Sequence, residues 1–192
     1  MIGIYELKKD DIDLFLQYLT LHLSENGRDG SIHFQPLSRA QSTFDEMWAE
    51  KFNDGRLTRS FDEKGWRKLW VAKNQENAIV GHIDIRAYDQ LNTQHRALLG
   101  MGVDSSFRKI KVGQRLLEFV IQYCQSRPEI EWLDLQVMAH NFPAISLYKK
   151  LNFVELSTVT DMFKIEGIYY DYTSMTLDVR SGNVLSAENV AF

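Results

Sequence analysis

The sequence predicts a mixed α+β fold on one central, mostly antiparallel sheet. Three observations carry that expectation. Apolar residues recur with period two through Leu69–Val103, broken by two polar turns, the pattern of a three-strand meander. The stretch Val112–Arg127 recurs instead with the helical period and separates two strand patterns, which predicts a crossover between parallel strands. Two long alternating runs then flank Glu166-Gly167, the signature of a closing hairpin.

Each element follows from local pattern. Residues 2–7 alternate weakly and read as a first strand. Ile12, Phe15, Leu16, Leu19 and Leu23 share one helical face, with Asp10, Asp11 and Asp13 at the start, where carboxylates suit the helix dipole. Gly27 to Gly30 ends that helix. Residues 27–66 are long and unpatterned, apart from a short helix expected at 43–53 around Phe44, Met47, Trp48 and Phe52. The meander follows, with strands at Leu69–Ala72, Ile79–Tyr88 and Arg96–Val103. Val112, Leu116, Val120 and Cys124 make the stripe of the clearest helix, which Pro128 stops. Trp132–Met138 alternates as a strand. Asn141 caps a helix over Ala144–Leu151, with Pro143 tolerated in its first turn. Phe153–Phe163 and Tyr169–Val179 form the final pair. The tally is seven strands and about four helices. Residues 1–180 read as one domain, with 27–66 its specificity region, and 181–192 as a polar tail.

Composition narrows the function classes. The 192 residues are 44% hydrophobic and 25% charged, with net charge −4. That excludes a disordered chain and gives no basic excess for nucleic acid. No apolar run of membrane-spanning length and no secretory leader pattern is readable. One cysteine, Cys124, forms no internal disulfide, and the reading is a cytoplasmic protein without a membrane or nucleic-acid partner. The histidines and the cysteine lack metal-ligand spacing, so no metal is expected.

The chemistry-bearing stretch begins at Leu98-Leu99-Gly100-Met101-Gly102-Val103, a strand with two glycines. Glycines inside a strand mark a bulge or a close approach by another backbone or a ligand. Arg108-Lys109-Ile110-Lys111-Val112-Gly113 then opens onto the long helix. Free N–H groups at a helix start, with basic residues beside them, make an anion site suited to a pyrophosphate. Downstream stand Asn141, Ala144, Leu147-Tyr148 and Phe153.

These two motifs resemble the GNAT superfamily of acyl-CoA-dependent N-acetyltransferases. The family's phosphate loop reads Q/R-x-x-G-x-G/A, and Arg108 and Gly113 match its ends, with Lys111 in place of the middle glycine. The second signature (Asn, Ala, Leu-Tyr, Gly-Phe) matches at Asn141, Ala144, Leu147, Tyr148 and Phe153, with Asn152 in place of its glycine. The resemblance implies the GNAT fold and acetyl-CoA as cosubstrate. It implies that Met101, Gly102 and Val103 offer a strand edge to the pantetheine arm. Amides of Arg108, Lys109, Ile110, Lys111, Val112, Gly113 and Gln114 would hold the pyrophosphate. Asn141 would bind the same arm, and the Tyr148 hydroxyl would protonate the departing thiolate. Plainer readings stand beside these: Asn141 as a helix cap, Tyr148 as a core aromatic, Arg108 as a solvated charge. Lys111 is expected in ordinary helical geometry, adding charge beside the phosphates.

Relatives often carry a glutamate base on the strand before the phosphate loop, and Ala97–Val103 has no carboxylate. The preceding strand places His82, Asp84 and Arg86 on one face, with Ile83, Ile85 and Ala87 on the other. That row faces the acceptor with Asp84 or His82 as base, or it is an internally paired structural cluster. His95 and His140 are weaker candidates. Arg59, Trp66, Arg67 and Trp70 lie near the variable region and are candidate acceptor contacts, with surface and core readings ahead of that one. The leading expectation is an acetyl-CoA-dependent N-acetyltransferase acting on a primary amine of a small molecule, peptide or protein. The alternatives are a catalytically inactive acyl-CoA-binding regulatory protein and an interaction module with a vestigial cleft. The acidic net charge leans toward a cationic acceptor. Homodimerisation is left open.

Overall fold

The computed structural model describes residues 2–52 and 54–180. The polar tail assigned to 181–192 lies outside the described residues, as do the side chains of Met47 and Trp48. Seven strands form one sheet: β1 (Gly3–Glu6), β2 (Arg67–Lys73), β3 (Ile79–Arg86), β4 (Arg96–Val103), β5 (Trp132–Met138), β6 (Val154–Ile165) and β7 (Ile168–Asp178). Their spatial order is β1-β2-β3-β4-β5-β7-β6. Every neighbouring pair is antiparallel except β4 with β5. The helices are α1 (Ile12–Ser24), α2 (Glu46–Lys51), α3 (Asp54–Leu57), α4 (Val112–Gln125) and α5 (Phe142–Lys150). The helix expected at 43–53 spans Glu46–Lys51, and α3 lies wholly in residues read as polar loop. No helix among the described residues is long and apolar enough to cross a membrane.

The parallel β4–β5 pair is the feature that builds the site. Its ladder runs from Arg96↔Trp132 to Leu98↔Asp134 and stops. Beyond it, β4 stays paired to β3 as far as Val103, and β5 to β7 as far as Met138. Leu99–Val103 therefore presents one edge with no strand beside it. A wedge opens within the sheet toward the start of α4.

Two apolar layers enclose the sheet. On one face α4 buries Val112, Leu116, Leu117, Val120, Ile121 and Cys124 against Ile83, Ile85, Leu99 and Leu133. Trp70 meets Tyr123 from below at 4.6 Å between ring centres. Trp66 and Trp70 are core residues, as read from the sequence. Burial raises the Cys124 thiol to about 12, so it packs as a small apolar group. On the other face α1 lays Phe15, Leu19 and Leu23 over Leu69, Val71 and Ile79. The closing hairpin turns at Glu166 and Gly167, both left-handed (φ 50° and 88°), which matches the twist of two-residue hairpins.

Candidate functional site

The loop before α4 is built by two lysines in left-handed backbone. Lys109 has φ 65° and Lys111 φ 67°. The expectation of ordinary helical geometry at Lys111 is therefore corrected: it keeps the conformation that a glycine would take more easily. Each such residue costs about 1 kcal/mol. The reason for that cost is the turn it produces. A left-handed residue just outside a helix folds the loop back, and alternating backbone of this kind gathers successive N–H groups into an anion-binding concavity. The first amide engaged at the helix start is that of Arg115, on the Lys111 carbonyl at 3.0 Å. Gly113 seats the helix tightly; a Cβ there would lie 3.2 Å from the Met101 side chain and 3.5 Å from Leu147.

Arg108 is already engaged. Its Nη2 donates to Glu25 at 3.0 Å and its Nε to the Val103 carbonyl at 3.1 Å. Ser105 donates to the other oxygen of Glu25. The loop is thus tied to the end of α1, and Arg108 is a positioning charge in this state. Asn141 caps α5, its Oδ1 accepting from the Ala144 amide at 3.4 Å. Tyr148 sits one turn further along, buried, with its ring 5.7 Å from Phe153. Burial, and then the neighbouring Tyr172, raise its pKa well above that of a free phenol, so the hydroxyl carries its proton at every physiological pH.

The opposite face of β4 carries the polar row. Gly102 pairs with His82 and Gly100 with Asp84. A Cβ on Gly102 would meet His22 Nε2 at 2.4 Å and His82 Cε1 at 2.7 Å; one on Gly100 would meet Asp84 Oδ1 at 2.7 Å and Arg86 Nη1 at 3.1 Å. These two strand glycines exist because side chains from β3 and α1 lie flat across the β4 backbone. The Tyr18 hydroxyl donates to the Gly102 carbonyl at 3.2 Å and lies 3.1 Å from His82 Nδ1. With its one proton on Gly102, it accepts from a protonated Nδ1, which fixes the His82 tautomer. His22 stacks on Phe34 at 4.5 Å. Burial lowers His22 to about 3 and His82 to about 4, so both rings are neutral at pH 7.

Asp84 is bridged by two guanidiniums, Arg67 Nη1 at 3.3 Å and Arg86 Nη1 at 3.1 Å. Arg67 is buried and also lies over the Phe52 ring at 4.4 Å. The row expected on β3 is therefore an ion-paired cluster, and it also reaches the wedge. Further along the same face, a cleft of about 410 Å³ runs among Tyr88, Arg96, Asp134, Gln136, Leu156 and Ser174. Asp134 closes the narrow end of the wedge, accepting from Arg96 at 2.7 and 2.6 Å, from Tyr88 at 3.0 Å and from Thr176. His140 stands near the open end, its ring 5.1 Å from Tyr170, which also meets His33 at 5.4 Å. His95 is exposed before β4, where its backbone carbonyl receives Glu131 and Trp132. Arg59 donates to the Lys64 carbonyl at 2.7 Å and stays with its own loop.

Sequence reasoning missed His22, Tyr18, Phe34 and the role of Arg67. His22 and Tyr18 flank Leu19 on the α1 stripe and were legible as polar positions on a buried face. Phe34 lies in an irregular segment and had no periodicity to reveal it.

Comparison with known proteins agrees with this geometry. The family model described as "Acetyltransferase (GNAT) family" matches residues 37–153. The L-amino acid N-acetyltransferase AaaT of Escherichia coli is 29% identical over 109 residues, 57% of this chain and 61% of that protein. An N-alpha-acetyltransferase of Sulfolobus acidocaldarius is 41% identical over 59 residues, 31% of this chain and 35% of that protein. The chain thus spans less than two thirds of the length of either relative. The crystal structure of a GNAT-family acetyltransferase from Streptococcus pneumoniae superposes with a TM-score of 0.77 at 21% identity, covering 93% of this chain and 99% of that one.

Proposed function

The chain belongs to the GNAT acetyltransferase family, and from that premise we propose that it is an N-acetyltransferase that takes its acetyl group from acetyl-CoA and passes it to a primary α-amine. The observation that carries the reading is the unpaired β4 edge at Leu99–Val103, which ends beside the left-handed loop and the amide-rich start of α4. An extended amide-bearing arm fits that edge as an added strand, and a pyrophosphate fits the loop. The named relatives act on L-amino acids and on α-amino groups, which favours an α-amine over a side-chain amine.

Acetyl-CoA supplies an activated acyl group, a thioester with a good leaving thiol. Amides of Lys109 to Gln114 hold its phosphates, with Lys109 and Lys111 adding charge; the Arg108 amide, expected among them, is spent on the Ser105 carbonyl at 3.4 Å. Met101, Gly102 and Val103 fix the arm along β4, and Asn141 binds it from the α5 side while capping that helix. Backbone donors near Met101 stabilise negative charge on the acyl oxygen. Tyr148, protonated throughout, donates to the thiolate sulfur. The amine attacks in its neutral form; His82, which burial makes a weak base, passes on only the proton shed by the acidic aminium of the tetrahedral adduct, and Asp84 keeps the neighbouring guanidiniums in place.

The test is calorimetric titration with acetyl-CoA, followed by thiol release in the presence of an amine panel. Micromolar binding and amine-dependent release are expected. Binding without turnover of any amine supports the inactive regulator instead. Absence of binding refutes both. Gly113→Ala is the site control: its Cβ presses on Met101 at 3.2 Å and on Leu147 at 3.5 Å at the helix start, and weaker acetyl-CoA binding is expected.

A further inference from the structure

At Asp84 the sheet gathers more positive charge than one carboxylate neutralises. On the wedge face two guanidiniums share one carboxylate: Arg67 and Arg86 both reach Asp84 Oδ2. Lys51 of α2 is near enough that Arg67 and Arg86, after burial, lower its pKa, while Asp45 raises it. At Asp84 itself two guanidiniums face one carboxylate. Arg67 is enclosed, with 8% of its side chain exposed; Arg86 is open, with 31% exposed. Arg86 crosses β4 above Gly100, which has no side chain to block it. It reaches far enough to lower the pKa of Tyr172, on β7 across the wedge, against the upward push of burial. Among the described residues its guanidinium has one hydrogen-bond partner, Asp84 through Nη1. A guanidinium offers five N–H donors in a fixed fork, so Arg86, partly exposed above Gly100, has donors left to give.

We propose that Arg86 anchors the carboxylate of the acceptor, and that the acceptor is therefore a free α-amino acid. The inference rests on the acetyltransferase reading and narrows it. The spacing supports it. Gly100 and Gly102 are one pleat apart, about 6.8 Å along a strand. An α-amino acid with its amine beside Met101–Gly102 carries its carboxyl carbon about 2.5 Å away. A charge-assisted bond of about 2.8 Å from a carboxylate oxygen then meets a guanidinium above Gly100. Asp84 and Arg67 are positioning residues in this scheme. Asp84 holds the near side of the Arg86 fork, and buried Arg67 keeps Asp84 from neutralising Arg86. A polyamine or lysine side chain would bring a second cation against this surplus. A peptide N-terminus would bring an uncharged carbonyl where the carboxylate belongs.

The test compares a panel of L-amino acids with their own α-amides and with spermidine. Thiol release from acetyl-CoA is read for the wild type, Arg86→Gln and Arg86→Lys. The acids are expected to exceed their amides in kcat/KM by about 30- to 100-fold, the worth of one bond between charged partners. Arg86→Gln removes that preference, chiefly through KM for the acids. The acid-to-amide ratio is the readout, and the acetyl-CoA Kd stays close to wild type, while Asp84 keeps its ion pair with Arg67. Arg86→Lys restores part of the preference. Equal turnover of acids and amides overturns the anchor and leaves acetyl transfer standing, as does a preference for spermidine. An equal loss for acids and amides in Arg86→Gln also overturns it. Failure of acetyl-CoA to bind the wild type removes the transferase reading and the anchor with it.

Discussion

The two imidazoles over Gly102 make folding sensitive to mild acid. In the unfolded chain each titrates near 6.5; in the fold burial lowers His22 to about 3 and His82 to about 4. For such a group the unfolded state binds more protons between the two values. Its stabilising contribution is therefore complete above about pH 6.5 and is lost as pH falls toward the folded value. Between pH 7 and pH 5 each ring withdraws about 2 kcal/mol, together about 4 kcal/mol, a large part of the stability of an ordinary domain. Urea unfolding at pH 7 and pH 5 measures this directly. His82→Asn keeps a polar atom near the Tyr18 hydroxyl and has nothing to titrate, so its loss over the same interval shrinks by about half. Exposed carboxylates contribute equally to both proteins and cancel. Imidazole ring protons followed by NMR give a second reading: neither ring titrates above pH 5. Midpoints near 6.5 for both rings, or an undiminished pH loss in His82→Asn, would refute the reasoning.

Other outcomes follow from the same geometry. Gly102→Ala drives a methyl group into His22, already stacked on Phe34 and Tyr18, and into His82, which meets Tyr18 edge-on; a loss of about 3 kcal/mol is expected in urea unfolding. Lys111→Gly releases the left-handed strain and raises stability by about 1 kcal/mol, read as a higher melting temperature. Its acetyl-CoA affinity changes by only a few-fold if the amides hold the phosphates, whereas a hundredfold loss would make the lysine charge the binding group. Tyr148→Phe lowers kcat by about 100-fold with little change in acetyl-CoA Kd. An unchanged kcat would leave Tyr148 a packing residue.

The strands, their succession along the chain and the parallel crossover were legible because they rest on period and length, whereas the insertion of β7 between β5 and β6 was not read from them. The meander, the α4 stripe and the Glu166–Gly167 turn each bury or expose residues with a regularity that tertiary contacts reinforce. The alternation of His82, Asp84 and Arg86 was legible for the same reason, but its partners were not. Arg67 stands 17 positions before Asp84 in the chain and meets it only through the β2–β3 register, where Leu69 pairs with Asp84. Lys111 was misjudged because a local preference of about 1 kcal/mol is small beside the packing that fixes the loop. The irregular stretch before β2 has few periodic positions, so its contacts, such as Phe34 on His22, were visible only in the fold. Whole-chain charge was a blunt guide: a net −4 does not report the local arrangement in which two guanidiniums meet one carboxylate at Asp84.

The wedge between β4 and β5 has a mechanical meaning. Its closed end is pinned by Asp134, whose carboxylate gathers Arg96, Tyr88 and Thr176 from three different segments. Past that pin the sheet is two leaves, β1–β4 and β5–β7, with α4 as the binding along their spine. A ligand strand laid in the opening would join the leaves and turn a hinged book into a closed one. Its binding energy would then appear as rigidity shared by both leaves. Amide exchange along Leu99–Val103 and along the facing edge of β5 should slow together when the opening is filled, although the two edges belong to different leaves and do not touch.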